Sequence, residues 1–188
     1  MRKLLAGVGA LTGAAIIALL ALSDNESRDT GVLVRFEPAG LVQRISSRAD
    51  EIEIYIGQNV LRLNRAAPGR WLDAERRGVA KADVLSQHVA NGLHFLEVTA
   101  PSRVIDGSRS SQSALSNFGL APPRYKVVAK AHGERIASVE FGNLNPSGTA
   151  QYVRVVGQNS VYLMPLHLGG EWEAVAAALG AAPTGGQP

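Results

Sequence analysis

No cysteine occurs in the chain. That absence excludes disulfide staples, thiolate metal ligands and a cysteine nucleophile together. Histidine is scarce, with only His88, His94, His132 and His167. The first two stand six positions apart, about 600° around a helix, so they share no face. No His-x-x-x-His or His-Glu-x-x-His pairing exists, which leaves a zinc site without its usual spacing. Aromatic residues make up 5% of the chain and the net charge is +3, too little of either for a stacking, basic nucleic-acid surface. Arg65, Arg70, Arg76 and Arg77 form a modest cluster, but Asp73 and Glu75 interrupt it. A Gly-x-Ser-x-Gly elbow and a phosphate-gripping Gly-x-x-x-x-Gly-Lys-Ser/Thr loop are both missing.

What the chain does have is a long apolar run, Leu4 to Leu22, directly behind Met1-Arg2-Lys3. As a helix it would span roughly 28 Å, close to a ~30 Å hydrocarbon core. Its length exceeds the usual signal-peptide core, and only a weak small-x-small site, Ala21-Leu22-Ser23, precedes Asp24. The expectation is a retained single-pass anchor in the cytoplasmic membrane. Arg2 and Lys3 would keep the N-terminus cytoplasmic, with everything after Ser23 outside. On that topology the exported part keeps 17 of the 19 basic residues against 16 acidic ones, so it is nearly neutral. Within the run, Ala6, Gly9, Ala10, Gly13 and Ala14 lie on one helical face. Small residues there allow close helix packing in lipid, although glycine and alanine are also common in membrane helices generally.

Beyond the anchor (1–23) and a polar spacer (24–30), residues 31–179 read as one α+β domain, with a Gly/Pro-rich tail at 180–188. The pattern predicts antiparallel hairpins packed with two or three helices. Residues 31–36 alternate as a strand. In 50–56, Ile52, Ile54 and Ile56 face one way and Glu51, Glu53 and Tyr55 the other. Gly57-Gln58-Asn59 turns that strand into 60–63, and Trp71 follows the Pro68-Gly69 turn as a core or edge aromatic. Lys81 to Val98 carries Leu85, Val89, Leu93 and Leu96 at helical spacing. A shorter helix is expected over 110–118, with Gly119 at its C′ position and extended chain through Pro122-Pro123. Hairpins 126–131/135–141 and 151–156/160–164 follow, the second around another Gly-Gln-Asn, and a last helix spans 171–179.

Candidate chemistry is thin. Glu51 and Glu53 share a strand face, which reads as a solvated face before it reads as an acid–base pair. Ser108, Ser110, Ser111 and Ser113 near Asp106 fit a polar helix-start loop. The residues point to no catalytic group, cofactor, metal or nucleic acid, and fix no oligomeric state.

The order of parts is more telling. Leu63 and Trp71, then Ala82-Asp83, precede Leu115-Ser116-Asn117-Phe118-Gly119-Leu120-Ala121-Pro122-Pro123. Phe141-Gly142, Tyr152-Val153-Arg154 and Val161-Tyr162-Leu163 come after it. This resembles the family called domain of unknown function 4340, whose hallmark is Leu-x-x-Tyr/Phe-Gly-Leu-x-x-Pro, over roughly residues 31–168. The resemblance implies an exported, membrane-anchored α+β module that accompanies ABC transporters of the gliding-motility type. It implies no catalytic residues. The hallmark, Phe118, Gly119, Leu120 and Pro122, is read as structural: Phe118 and Leu120 plug the core on either side of a glycine turn. Two functions are therefore expected in competition. One is a non-catalytic accessory subunit of a membrane complex. The other is a module binding envelope glycan or lipid through Tyr55, Trp71 and Tyr125.

Overall fold

A computed structural model describes residues 40–75, 82–106 and 112–181. Leu4–Leu22, its small-residue face, the strand expected at 31–36 and residues 182–188 of the tail lie outside them. Among the described residues no helix is long and apolar enough to cross a membrane.

The described chain is α+β. After the short helix α1 (Ile45–Arg48) come strands β1 (Glu51–Ile56), β2 (Asn59–Ala67) and β3 (Arg70–Asp73). The long helix α2 (Ala82–Val98) is followed by β4 (Arg103–Ile105) and helix α3 (Gln112–Asn117). Strands β5 (Tyr125–Ala131), β6 (Glu134–Leu144), β7 (Ala150–Val155) and β8 (Val161–Pro165) lead into α4 (Leu166–Ala178). All eight strands form one antiparallel sheet in the order β3-β2-β1-β5-β6-β7-β8-β4. Two meanders, β3-β2-β1 and β5-β6-β7-β8, thus join through the β1–β5 pair, with β4 closing the far edge.

Strand periodicity decides which face is apolar. Ile52 and Ile54 on β1, Val127 and Ala129 on β5, Val139 and Phe141 on β6 and Val153 on β7 all point to one side and are buried. Helices α1, α2 and α4 cover that side. The expected stripe Leu85, Val89, Leu93 and Leu96 is the buried face of α2, and each such side chain removes roughly 1.5–3 kcal/mol worth of apolar surface from water. Trp172 of α4 lies against Gly92 of α2, where a β-carbon would come within 2.8 Å of the indole. Trp71 is fully buried under α2, and Ser86 accepts its backbone N–H (2.9 Å).

Three expectations change. The last helix begins at Leu166, five residues earlier than its sequence suggests, despite Gly169-Gly170. Gly169 is needed there, because a β-carbon would meet the Gln151 side chain at 2.0 Å. Strand β4 was not legible: its three residues alternate too briefly to register. Pro122-Pro123 does not run extended; a cis Ala121–Pro122 bond and a Leu120–Pro123 bridge fold the chain back instead.

Candidate functional site

The hallmark stretch folds as a helix stop locked onto β6. Gly119 sits at φ +66. Its N–H donates to the Ser116 carbonyl (2.9 Å) and the Leu120 N–H to the Leu115 carbonyl (2.8 Å), the paired bonds of a Schellman stop. Opposite it, β6 carries a bulge. Its pairing with β7 jumps from Phe141–Val153 to Leu144–Gln151, which takes Gly142 and Asn143 out of the ladder. The freed Asn143 N–H donates to the Phe118 carbonyl (2.8 Å), and the Gly142 carbonyl accepts from Gln151 Nε2 (3.0 Å). Approach is so close that a β-carbon on Gly142 would lie 2.2 Å from the Phe118 carbonyl oxygen. Phe141-Gly142 and the hallmark are therefore two halves of one contact.

Leu120 is buried as expected, but Phe118 is not a core plug. It is half-buried and packs on Tyr152, ring centres 4.5 Å apart, on the sheet face away from the helices. Tyr125 is a core residue: it stacks on Phe141 at 4.6 Å and donates to the Gly169 carbonyl (3.1 Å). Burial pushes its phenol well above the ordinary range. With Trp71 equally buried, Tyr55, Trp71 and Tyr125 do not assemble an aromatic binding surface.

An open groove of about 540 Å³ flanks the hallmark turn. Ile56, Gly57, Gln58 and Asn59 line one side, and Gly119, Pro122, Pro123, Arg124 and Asn143 the other. It offers amides and one guanidinium, which approaches Glu173 at 3.5 Å, and neither a nucleophile nor a base. The two Gly-Gln-Asn turns share only turn chemistry, since Gly57 and Gly157 both have positive φ.

Across the centre of the same outer face runs a row of charges. The Glu53 carboxylate, only 6% exposed, accepts from Lys130 (2.8 Å), Tyr55 (2.8 Å) and Arg62 (3.2 Å). Lys130 also reaches Glu51 (3.1 Å), and Arg154 donates from Nε to Glu140 (2.8 Å). Burial would raise the Glu53 pKa, but the bonds from Lys130, Tyr55 and Arg62 outweigh it and hold the carboxyl below its ordinary value. Tyr55 is pushed up, first by its bond to that carboxylate. Lys130 is pushed up, first by the same carboxylate. Every shift favours the form that makes the bonds. Glu53 is thus engaged by three donors and Glu51 shares Lys130 with it, an ion-pair row along the strand face.

The histidines are dispersed in their roles. His88 pairs with Glu171 of α4 (2.7 Å), His167 lies edge-on to Phe95 (4.8 Å), and the His132 N–H donates to Asp50 at a hairpin apex (2.8 Å). Among the described residues no three His, Cys, Asp or Glu side chains are grouped to hold a metal. Ser113 lies exposed on α3, while Ser108, Ser110 and Ser111 fall outside the described residues. The node formed by Gln151, Tyr125 and Gly169 was missed in the sequence, where a glutamine in a strand reads as a surface residue.

The geometry defines an α+β module whose distinctive turn is a structural lock beside an open groove. Residues 87–171 match the family model described as Domain of unknown function (DUF4340). The match runs from α2 into α4. It takes in the hallmark and its β6 partner, while β1–β3, Trp71 and Ala82-Asp83 lie before it. No curated protein and no solved structure matches the chain.

Proposed function

We propose that this chain is a membrane-anchored, extracytoplasmic, non-catalytic accessory subunit of a membrane complex, of the ABC-transporter type that the family resemblance implies. The observation that carries the reading is how the hallmark residues are engaged. Gly119, Leu120 and Gly142 bond or pack against one another, and the groove beside them presents amides and one arginine. A family whose defining residues build a lock rather than a reaction centre acts through surfaces it presents to partners. Leu4–Leu22, behind Arg2 and Lys3, would hold that surface at the outer side of the cytoplasmic membrane. The Ala6/Gly9/Ala10/Gly13/Ala14 face would pack against a partner's helix, where small residues let backbones approach.

The test is co-purification of the full chain from membranes in mild detergent, with mass spectrometry of what accompanies it. Transporter subunits in stoichiometric amounts are expected, together with retention in the pellet through carbonate washing. Gly9→Leu with Gly13→Leu should keep the protein in the membrane and lower partner recovery, while Val8→Ile with Leu11→Ile should change little. Release by carbonate, or recovery of the chain alone, would contradict the reading.

A further inference from the structure

The chain joins the described domain at one particular corner. Gly40 donates its N–H to the Glu97 carbonyl (3.1 Å) and Val42 to that of Leu96 (3.2 Å), so entry is at the C-terminal end of α2. Three elements meet nearby. The Phe95 ring of α2 touches His167 of α4, and Thr99 Oγ1 lies 3.4 Å from His167 Nε2. Ser102, just before β4, donates its N–H to the Leu163 carbonyl of β8 (2.9 Å).

On these three elements large apolar side chains stand in solvent: Val98 is 48% exposed, Val104 56% and Leu166 41%. Two exposed arginines stand nearby: Arg103 starts β4, and Arg44, just before α1, lines one surface cleft with Glu97 and Val98. Neither has an ion pair among the described residues. Arg44 also holds φ 55, a backbone region non-glycine residues seldom occupy.

Exposed aliphatic side chains flanked by unpaired guanidinium groups match the chemistry of a bilayer's headgroup boundary. Alkyl groups enter the interface, and arginines meet lipid phosphates. We infer that the corner formed by Val98, Val104 and Leu166 with Arg44 and Arg103 rests on the surface of an anionic bilayer. The inference depends on the anchor reading of Leu4–Leu22. A run of the length of 23–39 reaches at most about 60 Å when fully extended, and Gly40, where the described chain begins, bonds to this corner. A contact too weak to bind from solution is sufficient when the tether keeps it close to its surface. Leu72, also exposed, lies on β3 at the opposite edge of the sheet and serves as the contrast.

The absence of cysteine makes the test direct. Thr12→Cys, Leu72→Cys, Val98→Cys and Leu166→Cys are each labelled with a fluorophore in the full chain. Each is reconstituted without partners into vesicles of phosphatidylcholine and phosphatidylglycerol carrying spin-labelled lipids. All four must keep the parent's urea midpoint. Headgroup-labelled lipid should quench positions 98 and 166 several-fold more than 72, and chain-labelled lipid should quench 12. The excess should shrink in pure phosphatidylcholine and in Arg44→Glu with Arg103→Glu. Equal quenching at 72, 98 and 166 with strong quenching at 12 would overturn the corner while leaving the anchor standing. No quenching at 12 would overturn the anchor and the corner together. An excess indifferent to anionic lipid would overturn the role of the arginines.

Discussion

The outer face of the sheet is held in two ways. Near the end of β6 the hallmark turn is fixed by backbone: its bonds run between amides and carbonyls, and two glycines permit the approach. Across β2, β1 and β5 the face is fixed by side chains, with Glu53 at the centre of Lys130, Tyr55 and Arg62. A backbone lock tolerates almost no added atom. An ionic row tolerates substitution but answers to pH and salt. The first leaves a motif in the sequence because only certain residues fit. The second leaves none, because any opposite charges in register would serve.

The sharpest way to break this contrast is to add one methyl group on the backbone side. Gly119→Ala forces positive φ on an alanine and brings its β-carbon to 2.4 Å from the Asn143 side chain. Gly142→Ala collides with the Phe118 carbonyl. Each should cost about 3 kcal/mol by urea denaturation, combining overpacking with backbone strain in the first case. The double variant should lose clearly less than the sum, since either change opens the same contact.

On the ionic side, Glu53→Ala should cost about 2 kcal/mol, below the usual range for a broken buried pair because Lys130 and Arg62 still reach water. The same carboxyl predicts a pH signature. Its folded pKa lies below the ordinary value of 4.5, so its contribution is complete above that value and is lost as pH falls through the lower folded one. The stability gap between the parent and Glu53→Gln should be widest near neutrality and close on acidification. The gap between the parent and Gly142→Ala should keep its size. A gap at Glu53 that does not move with pH would remove the distinction between the two regions.

The smallest effect is expected where the hallmark uses a side chain rather than backbone. Phe118→Ala should cost about 1 kcal/mol, because the ring is half-buried and loses mainly its Tyr152 contact. A loss as large as that of Gly142→Ala would restore Phe118 as a core residue.

Much of the fold was legible for the same reason that the turn was. The alternation of Ile52 and Ile54 against Glu51, Glu53 and Tyr55, and the stripe from Leu85 to Leu96, encode which face is buried. Gly119 at a helix stop was legible because that position requires positive φ. Gly142 was legible only as part of a resemblance, since the close approach it permits depends on a bulge that appears once β6 and β7 are paired. Early α4 and the buried Gln151 were hidden for a related reason: Gly169 and Gln151 explain each other, eighteen positions apart. Sequence periodicity cannot report such a pair.

The geometry makes the hallmark turn a rigid lock rather than a mobile binding elbow. Native-state amide hydrogen exchange tests it at three protons: the N–H groups of Gly119, Leu120 and Asn143, bonded to Ser116, Leu115 and Phe118. All three should exchange as slowly as core amides of β5 and β6, and Gly142→Ala should release them together. Fast exchange at these three protons beside a protected β5 and β6 would contradict it.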